Sequence, residues 1–229
     1  MIRSLRALSA LLAYPSTDLQ QHIGEIRTAL AGERLLPTAA LAALEPLLSS
    51  LEQGDLFDLQ ADYTDLFDRS RKLSLHLFEH VHGDSRERGA AMVDLGQTYL
   101  DHGFIISVSE LPDYLPLFLE FLACRPFSEA RAFLGEPAHV LAALHQRLSD
   151  RTSVYAGVFT ALLALAEAKP DREALKALLQ SGPDPSETDT DEDWREPPVT
   201  FGRPDHEAGG PTGLIAKIRA GRRSVAARS

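Results

Sequence analysis

The fold of this chain is indicated by the stretch Glu110-Leu111-Pro112-Asp113-Tyr114-Leu115-Pro116-Leu117-Phe118-Leu119-Glu120-Phe121-Leu122. Pro112 suits the opening of a helix, and Asp113 would then lie in the first turn, where the helix dipole favours an acid. The helix that follows is apolar on nearly all sides, which is typical of a helix running through the middle of a bundle. Acids in so apolar a helix either satisfy neighbouring donors or face a groove, and the sequence leaves both alternatives open.

Outward from this stretch, leucine, alanine and glutamate recur with helical spacing along most of the chain. Ser16, Asp55 and Asp84 are placed to cap three of the helices. The one strand-like run, Ile105–Val108, is too short to found a sheet. The sequence therefore predicts an all-α, single-domain bundle of about nine or ten helices. The predicted helices span residues 5–12, 16–30, 37–51, 56–68, 85–102, 112–125, 128–134, 137–148, 153–168 and 172–180.

Composition excludes several classes of protein. The chain has 229 residues, with 33 acidic and 23 basic side chains and a formal net charge of −10. This balance argues against a nucleic-acid-binding protein, which needs clustered positive charge. The single cysteine, Cys124, excludes an internal disulfide and a multi-cysteine metal site. The longest predominantly apolar run, Val158–Ala166, is far shorter than the roughly 20 residues of a membrane span, so we expect a cytoplasmic protein without membrane insertion.

The composition changes near residue 181, which predicts a helical domain over residues 1–180 and a separate tail over 181–229. Residues 181–210 hold nine acids and two arginines among many Pro, Gly, Ser and Thr residues, a composition typical of disorder. Residues 211–229 hold five basic residues and no acids, and Leu214, Ile215 and Ile218 have helical spacing. This basic end is either a short amphipathic helix that docks on an acidic partner or a membrane surface, or a solubilising tail.

A histidine-rich segment supplies the enzymatic alternative. His76-Leu77-Phe78-Glu79-His80 fits the H-x-x-E-H pattern of one zinc-peptidase class. On a helix the two histidines would share a face and could bind zinc, while Glu79 held the attacking water. No third ligand stands out, and the leucines and Phe78 could instead pack into a core while the histidines hydrogen-bond to their neighbours. We therefore predict no catalytic residues and no metal, with a zinc-dependent hydrolase as the alternative.

Several segments together resemble a known family. The resemblance rests on Leu12–Pro15, Tyr63–Asp68, Leu73–Gly89, Ala91–Leu95 and Glu110–Tyr114, and it covers roughly residues 1–180. Together they resemble the NarJ family, the assembly chaperones of respiratory nitrate reductase, within the wider TorD/DmsD group of redox-enzyme maturation chaperones. Tyr114 stands where the wider group's E-x-P-D-H signature carries histidine, so a titrating imidazole is missing at that position.

The resemblance implies a TorD-like, all-α chaperone that is not an enzyme and carries no cofactor. Its implied partner is the N-terminal segment of the apo catalytic alpha subunit, NarG, with cofactor-delivery proteins as further candidates. It would hold that subunit in the cytoplasm while a molybdenum cofactor and an iron–sulfur cluster are inserted, and would delay docking on the membrane anchor. No nucleic-acid partner is implied.

The expected site is a groove with apolar walls and a few carboxylates, which suits a basic amphipathic peptide. The clustering of histidines beside Glu79 also suggests that binding depends on pH, because imidazoles titrate near neutrality. The predicted peptide-binding residues are Glu110, Asp113 and Glu120 for peptide cations, Tyr114, Leu117 and Phe118 for the walls, and His76, Phe78, Glu79 and His80 for the rim.

Overall fold

The computed structural model describes residues 1–83, 85–106 and 110–180, and within these ranges the chain forms twelve α-helices and no strand. The all-α prediction is confirmed. The helices are α1 (Arg3–Leu11), α2 (Thr17–Gln21), α3 (Ile23–Glu33), α4 (Thr38–Gln53), α5 (Leu56–Tyr63), α6 (Leu77–His82), α7 (Arg86–Asp101), α8 (Leu115–Ala123), α9 (Phe127–Gly135), α10 (Ala138–Asp150), α11 (Ala156–Leu165) and α12 (Arg172–Gln180).

Two features account for the higher helix count. The histidine-rich segment forms the short helix α6, which the sequence analysis did not assign. The predicted helix 16–30 is divided at His22 into α2 and α3. The His22 ring lies 2.7 Å from the carbonyl oxygen of Asp18, the oxygen that an unbroken helix would offer to the His22 amide.

The predicted caps at two helix starts are confirmed. Ser16 Oγ accepts the amide N–H of Leu19 at 3.1 Å, and Asp55 Oδ1 accepts that of Phe57 at 2.9 Å. Each side chain satisfies a donor that the first helical turn leaves without a partner. The cap predicted at Asp84 lies outside the described residues, as do Ser107, Val108 and the tail 181–229.

The apolar helix α8 is largely buried and lies antiparallel to α1. The amide of Ile2 donates to the oxygen of Ala123 at 2.7 Å, and Ser9 Oγ donates to the oxygen of Pro116 at 2.8 Å. Glu33 at the end of α3 accepts the N–H groups of Arg3 and Ser4, so α1 is capped from a different helix. These bonds hold α1 against both α8 and α3.

A second pair of helices, α4 and α11, approach each other very closely at Gly157. A Cβ atom at this position would lie 2.0 Å from the carbonyl oxygen of Ala43, so only glycine permits this crossing. The last helix, α12, packs on α10, where the guanidinium of Arg147 donates to the oxygens of Leu178 and Lys72.

The start of α8 differs from the prediction. The helix begins at Leu115 rather than at Pro112, so Asp113 lies in the turn that precedes it and not in its first turn. The cause is a competing set of hydrogen bonds from residues 75–78, described below. No helix in the described ranges is long and apolar enough to cross a membrane.

Candidate functional site

The two segments that looked unusual in the sequence meet in the structure, and we call residues 74–78 together with 112–115 the clasp. An antiparallel bridge pairs His76 with Tyr114. The amide of Leu77 donates to the oxygen of Asp113 at 3.0 Å, and that of Leu115 donates to the oxygen of Leu75 at 2.9 Å. These bonds use main-chain groups that a helix starting at Pro112 would have needed for itself.

Asp113 is the centre of the clasp. Its side chain is fully buried, at 0% exposure. One carboxylate oxygen accepts the amide N–H of Phe78 at 3.1 Å, and the other accepts Nδ1–H of His76 at 3.2 Å. This hydrogen bond raises the pKa of His76, although partial burial of the imidazole opposes the shift. Tyr99 adds a hydrogen bond from its hydroxyl to the oxygen of Pro112 at 2.7 Å.

The geometry of Asp113 differs from the predicted one. It was expected to face a groove and pair with peptide cations, but in this conformation it is sealed from solvent and both oxygens have protein donors. The two phenylalanines expected at the surface are also buried, with exposed fractions of 1% for Phe78 and 5% for Phe118. They belong to the core because the faces that carry them pack against other helices.

An open groove lies beside the clasp, between α1, the α2–α3 segment and the start of α8. Its volume is about 730 Å³. Four of the predicted residues, Glu110, Tyr114, Leu117 and Glu120, line it together. The full lining is Arg3, Arg6, Ala7, Ser9, Ala10, Ala13, Tyr14, Ser16, Asp18, Leu19, His22, Glu25, Ile26, Ala29, Glu110, Tyr114, Pro116, Leu117 and Glu120. We call this surface the groove.

The lining of the groove contains apolar side chains, which we call its floor, and four carboxylates, which we call its acidic edge. Its carboxylates are Asp18, Glu25, Glu110 and Glu120, against the two guanidinium groups of Arg3 and Arg6. Within the described part of the chain, no ion pair joins Glu110 or Glu120 to a cation, and both side chains are exposed. Alanines, Leu117 and Ile26 supply the apolar contacts. This arrangement can bury one face of a helix and pair its cations.

A smaller, polar pocket of about 400 Å³ lies on the other side of His76, lined in part by Glu79 and Arg88. The Arg88 guanidinium donates to Glu79 at 3.0 Å. His76 therefore stands between this pocket and Tyr114, whose ring centroid lies 5.3 Å from that of His76. Of the predicted rim residues, His76 and Glu79 line this second pocket and not the groove.

The H-x-x-E-H segment does not present a ligand set for zinc. His76 precedes α6 as its N-cap residue, while Nε2 of His80 donates to the carbonyl oxygen of Ser74 at 2.8 Å. Burial lowers the pKa of His80, since the charged imidazole is poorly solvated there. Among the residues whose positions are described, no three His, Cys, Asp or Glu side chains are arranged to hold a metal ion.

One whole wall of the groove was not predicted from the sequence. Asp18, Glu25 and Tyr14 come from the first three helices and their connections, far from the Glu110–Glu120 segment in the chain. The sequence signal for this wall was Leu12–Pro15, which carried part of the family resemblance but was not assigned to the peptide-binding site. The groove's histidine is His22, whose pKa is raised by its hydrogen bond to the Asp18 carbonyl.

Known proteins are similar to this chain in sequence and in fold. The family model described as nitrate reductase delta subunit matches residues 33–161. The chain is 44% identical over 195 residues to the nitrate reductase molybdenum cofactor assembly chaperone NarJ of Escherichia coli (strain K12), covering 85% of this chain and 83% of that protein. It is 40% identical over 153 residues to a probable nitrate reductase molybdenum cofactor assembly chaperone of the same strain, NarW, covering 66% of each.

One solved structure is similar in fold. It is a crystal structure of a candidate redox enzyme maturation protein from Archaeoglobus fulgidus, with a TM-score of 0.51 at 22% sequence identity. The superposition covers 71% of this chain and 91% of that chain. At this identity the likeness concerns the arrangement of helices alone.

Proposed function

The chain belongs to the nitrate reductase delta subunit family, and on this premise we propose that it is a cytoplasmic assembly chaperone of nitrate reductase. It acts while the molybdenum cofactor is installed, and it catalyses no covalent step itself. Its client is the N-terminal segment of the apo catalytic alpha subunit, which we call the leader. The relatives described above, named as assembly chaperones, support the chaperone role.

The main support for a leader-binding site is the groove. Residues predicted from sequence to contact a basic peptide, Glu110, Tyr114, Leu117 and Glu120, line one continuous open surface. The four carboxylates along it attract a cationic leader over a range of about 8 Å at physiological salt. The apolar floor then holds the leader by excluding water. Because the acidic edge is exposed, we expect its contribution to be moderate, which allows release.

Binding of the leader in the groove has a simple consequence for assembly of the reductase. A leader held in the groove is unavailable to the membrane anchor subunit, so docking is delayed while the cofactor and the iron–sulfur cluster are inserted. Release then follows when the folded catalytic subunit withdraws its leader. This sequence requires binding and release, and it uses no nucleophile or metal of the chaperone.

Co-purification tests the proposal most directly. The chain is expressed with the catalytic alpha subunit, either complete or without its first 15 or so residues, and captured by affinity chromatography. We expect the complete subunit to be retained and the shortened one to be lost. Equal recovery of the two would place the client contact elsewhere, and recovery of neither would remove the chaperone proposal.

A further inference from the structure

The basic segment 211–229 of this chain has the same chemistry as the leader proposed above. It carries Lys217, Arg219, Arg222, Arg223 and Arg228 and no acidic side chain. Leu214, Ile215 and Ile218 would lie on one face if the segment were helical. An apolar stripe flanked by cations is the complement of the groove, which has an apolar floor and four carboxylates. Residues 1–17 also carry cations, no acid and a leucine stripe, but they include α1, whose leucines are already buried in the core.

We infer that residues 211–229 occupy the groove of the same molecule and compete there with the client leader. The inference shares the groove with the proposed function, but it concerns the chain's own segment as the occupant. Such a competitor would keep the apolar floor covered between clients. It would also make release easier, because the tail can replace a departing leader.

The length of the connection permits this contact. The described helices end at Gln180, and 30 residues separate them from residue 211. A coil of that length has a root-mean-square span of about 30 Å. A domain of about 180 residues has a radius of gyration of about 16 Å. Fully extended, the connection spans up to about 100 Å, well beyond the roughly 40 Å width of such a domain, so the segment can reach any face of the bundle, the groove included.

Charge also favours the groove over the nearest alternative. The connecting residues 181–210 carry nine acids and could attract the basic segment themselves. They lack a spaced apolar stripe, whereas the groove offers Leu117, Ile26 and several alanines beside its carboxylates. Contacts to both a floor and an edge hold an amphipathic segment better than exposed charges alone.

The size of the competition depends on the intrinsic Kd of the tail for the groove. An attached segment has an effective concentration of about 1 mM near its site. A tail whose intrinsic Kd is about 0.5 mM would then fill two-thirds of the grooves and weaken a competing peptide about threefold. Reversing charges in the tail should remove the competition and recover the threefold loss in peptide affinity.

The first test measures competition in the full-length chain. The probe is a fluorescent synthetic peptide of residues 211–229, titrated by anisotropy. We expect the variant Arg219→Glu/Arg222→Glu to bind this peptide about threefold more tightly than the native chain, because its own tail no longer competes. The matched control, Arg195→Glu/Arg203→Glu, changes two arginines of the connecting residues and should bind like the native chain.

Two outcomes of this titration would overturn the inference. One is equal affinity of the native and the tail-reversed chain for the peptide. The other is peptide binding that Glu120→Lys leaves unchanged, since the groove would then not be the site. Either failure leaves the proposed function standing if the leader peptide still binds, because the leader is measured separately.

The second test locates the tail. Cys124 is exposed directly after α8, four residues beyond Glu120, and is the chain's only cysteine, so it accepts a single nitroxide. We expect the nitroxide to broaden the amide signals of residues 211–229, and Arg219→Glu/Arg222→Glu to abolish the broadening. Mixing nitroxide-labelled chains with isotope-labelled chains should produce none. Broadening in the mixture would assign the tail to a second copy, and tail binding to anionic vesicles without broadening would assign it to a membrane.

Discussion

The groove and the clasp are built from the same short segment, yet they place its acids in opposite environments. Glu110 is exposed on the edge of the groove, while Asp113, three residues later, is fully buried in the clasp. Glu110 forms no ion pair within the described ranges, whereas Asp113 accepts hydrogen bonds from Phe78 and His76. A carboxylate with two buried donors stabilises the fold, and one facing water is available to a ligand. The two acids are expected to differ in what their removal costs.

The largest expected effect comes from the clasp. Asp113→Ala leaves the Phe78 amide buried without its partner and frees His76, so we expect the free energy of unfolding to fall by about 3 kcal/mol. Urea denaturation followed by circular dichroism measures the change. Glu110→Ala is the matched control and should shift stability by less than about 0.5 kcal/mol. Similar losses for both acids would remove the distinction between the two regions.

Substitutions in the groove should change the affinity for the leader and not the stability of the fold. Glu120→Lys places a cation on the edge where we expect leader cations to bind, so the affinity for a leader peptide should fall about fivefold. Isothermal titration calorimetry gives the Kd, and thermal unfolding should be unchanged. Asp94→Lys makes the same charge change at an exposed position on α7, outside the groove lining, and serves as the control. Equal weakening by both variants would mean that only net charge matters.

The stability that the clasp contributes is expected to depend on pH, because His76 titrates there. The pKa of His76 is raised in the folded protein, chiefly by its hydrogen bond to Asp113, with Glu79 adding to the shift and Arg88 opposing it. Its stabilising contribution is therefore complete below about pH 6.5 and is lost as pH rises through the raised value. The lowered pKa of His80 acts in the opposite sense, with a contribution that is lost as pH falls.

The difference in the free energy of unfolding between the native chain and His76→Gln isolates the contribution of His76. Urea unfolding of both, measured from pH 5.5 to 9, should show a stability gap that narrows as pH rises. The leader affinity should not follow the same curve, since His76 lies outside the groove lining. A gap that stays constant over this range would show that the His76–Asp113 bond does not depend on the charge of the imidazole.

The smallest effect is expected at Tyr114, which belongs to both regions. Its hydroxyl lies 3.5 Å from that of Tyr63, while Tyr63 already donates to the oxygen of Leu12 at 2.8 Å. Tyr114→Phe should therefore change stability by less than about 0.5 kcal/mol and leader affinity by less than about twofold. A larger loss of affinity alone would identify the hydroxyl as a leader contact.

Much of the helical framework could be predicted from local pattern. Ser16 and Asp55 cap their helices as expected, and α8 is apolar and largely buried, because capping and periodicity depend on residues close in sequence. The division at His22 was missed because it depends on one side chain reaching a main-chain oxygen. Half of the groove was missed for a different reason, since Asp18 and Glu25 meet Glu110 and Glu120 only after α1, α3 and α8 have packed.

The sequence by itself determined an all-α chain with a strongly apolar helix after Tyr114, an acidic balance, and two unusual segments around His76 and Asp113. Only the tertiary structure decided which acids face a ligand and which are buried. That decision rests on the bonds between residues 75–78 and 113–115, which start α8 at Leu115 and turn Asp113 inward. Segments some 35 residues apart make these bonds, and helical periodicity carries no information about such a partner.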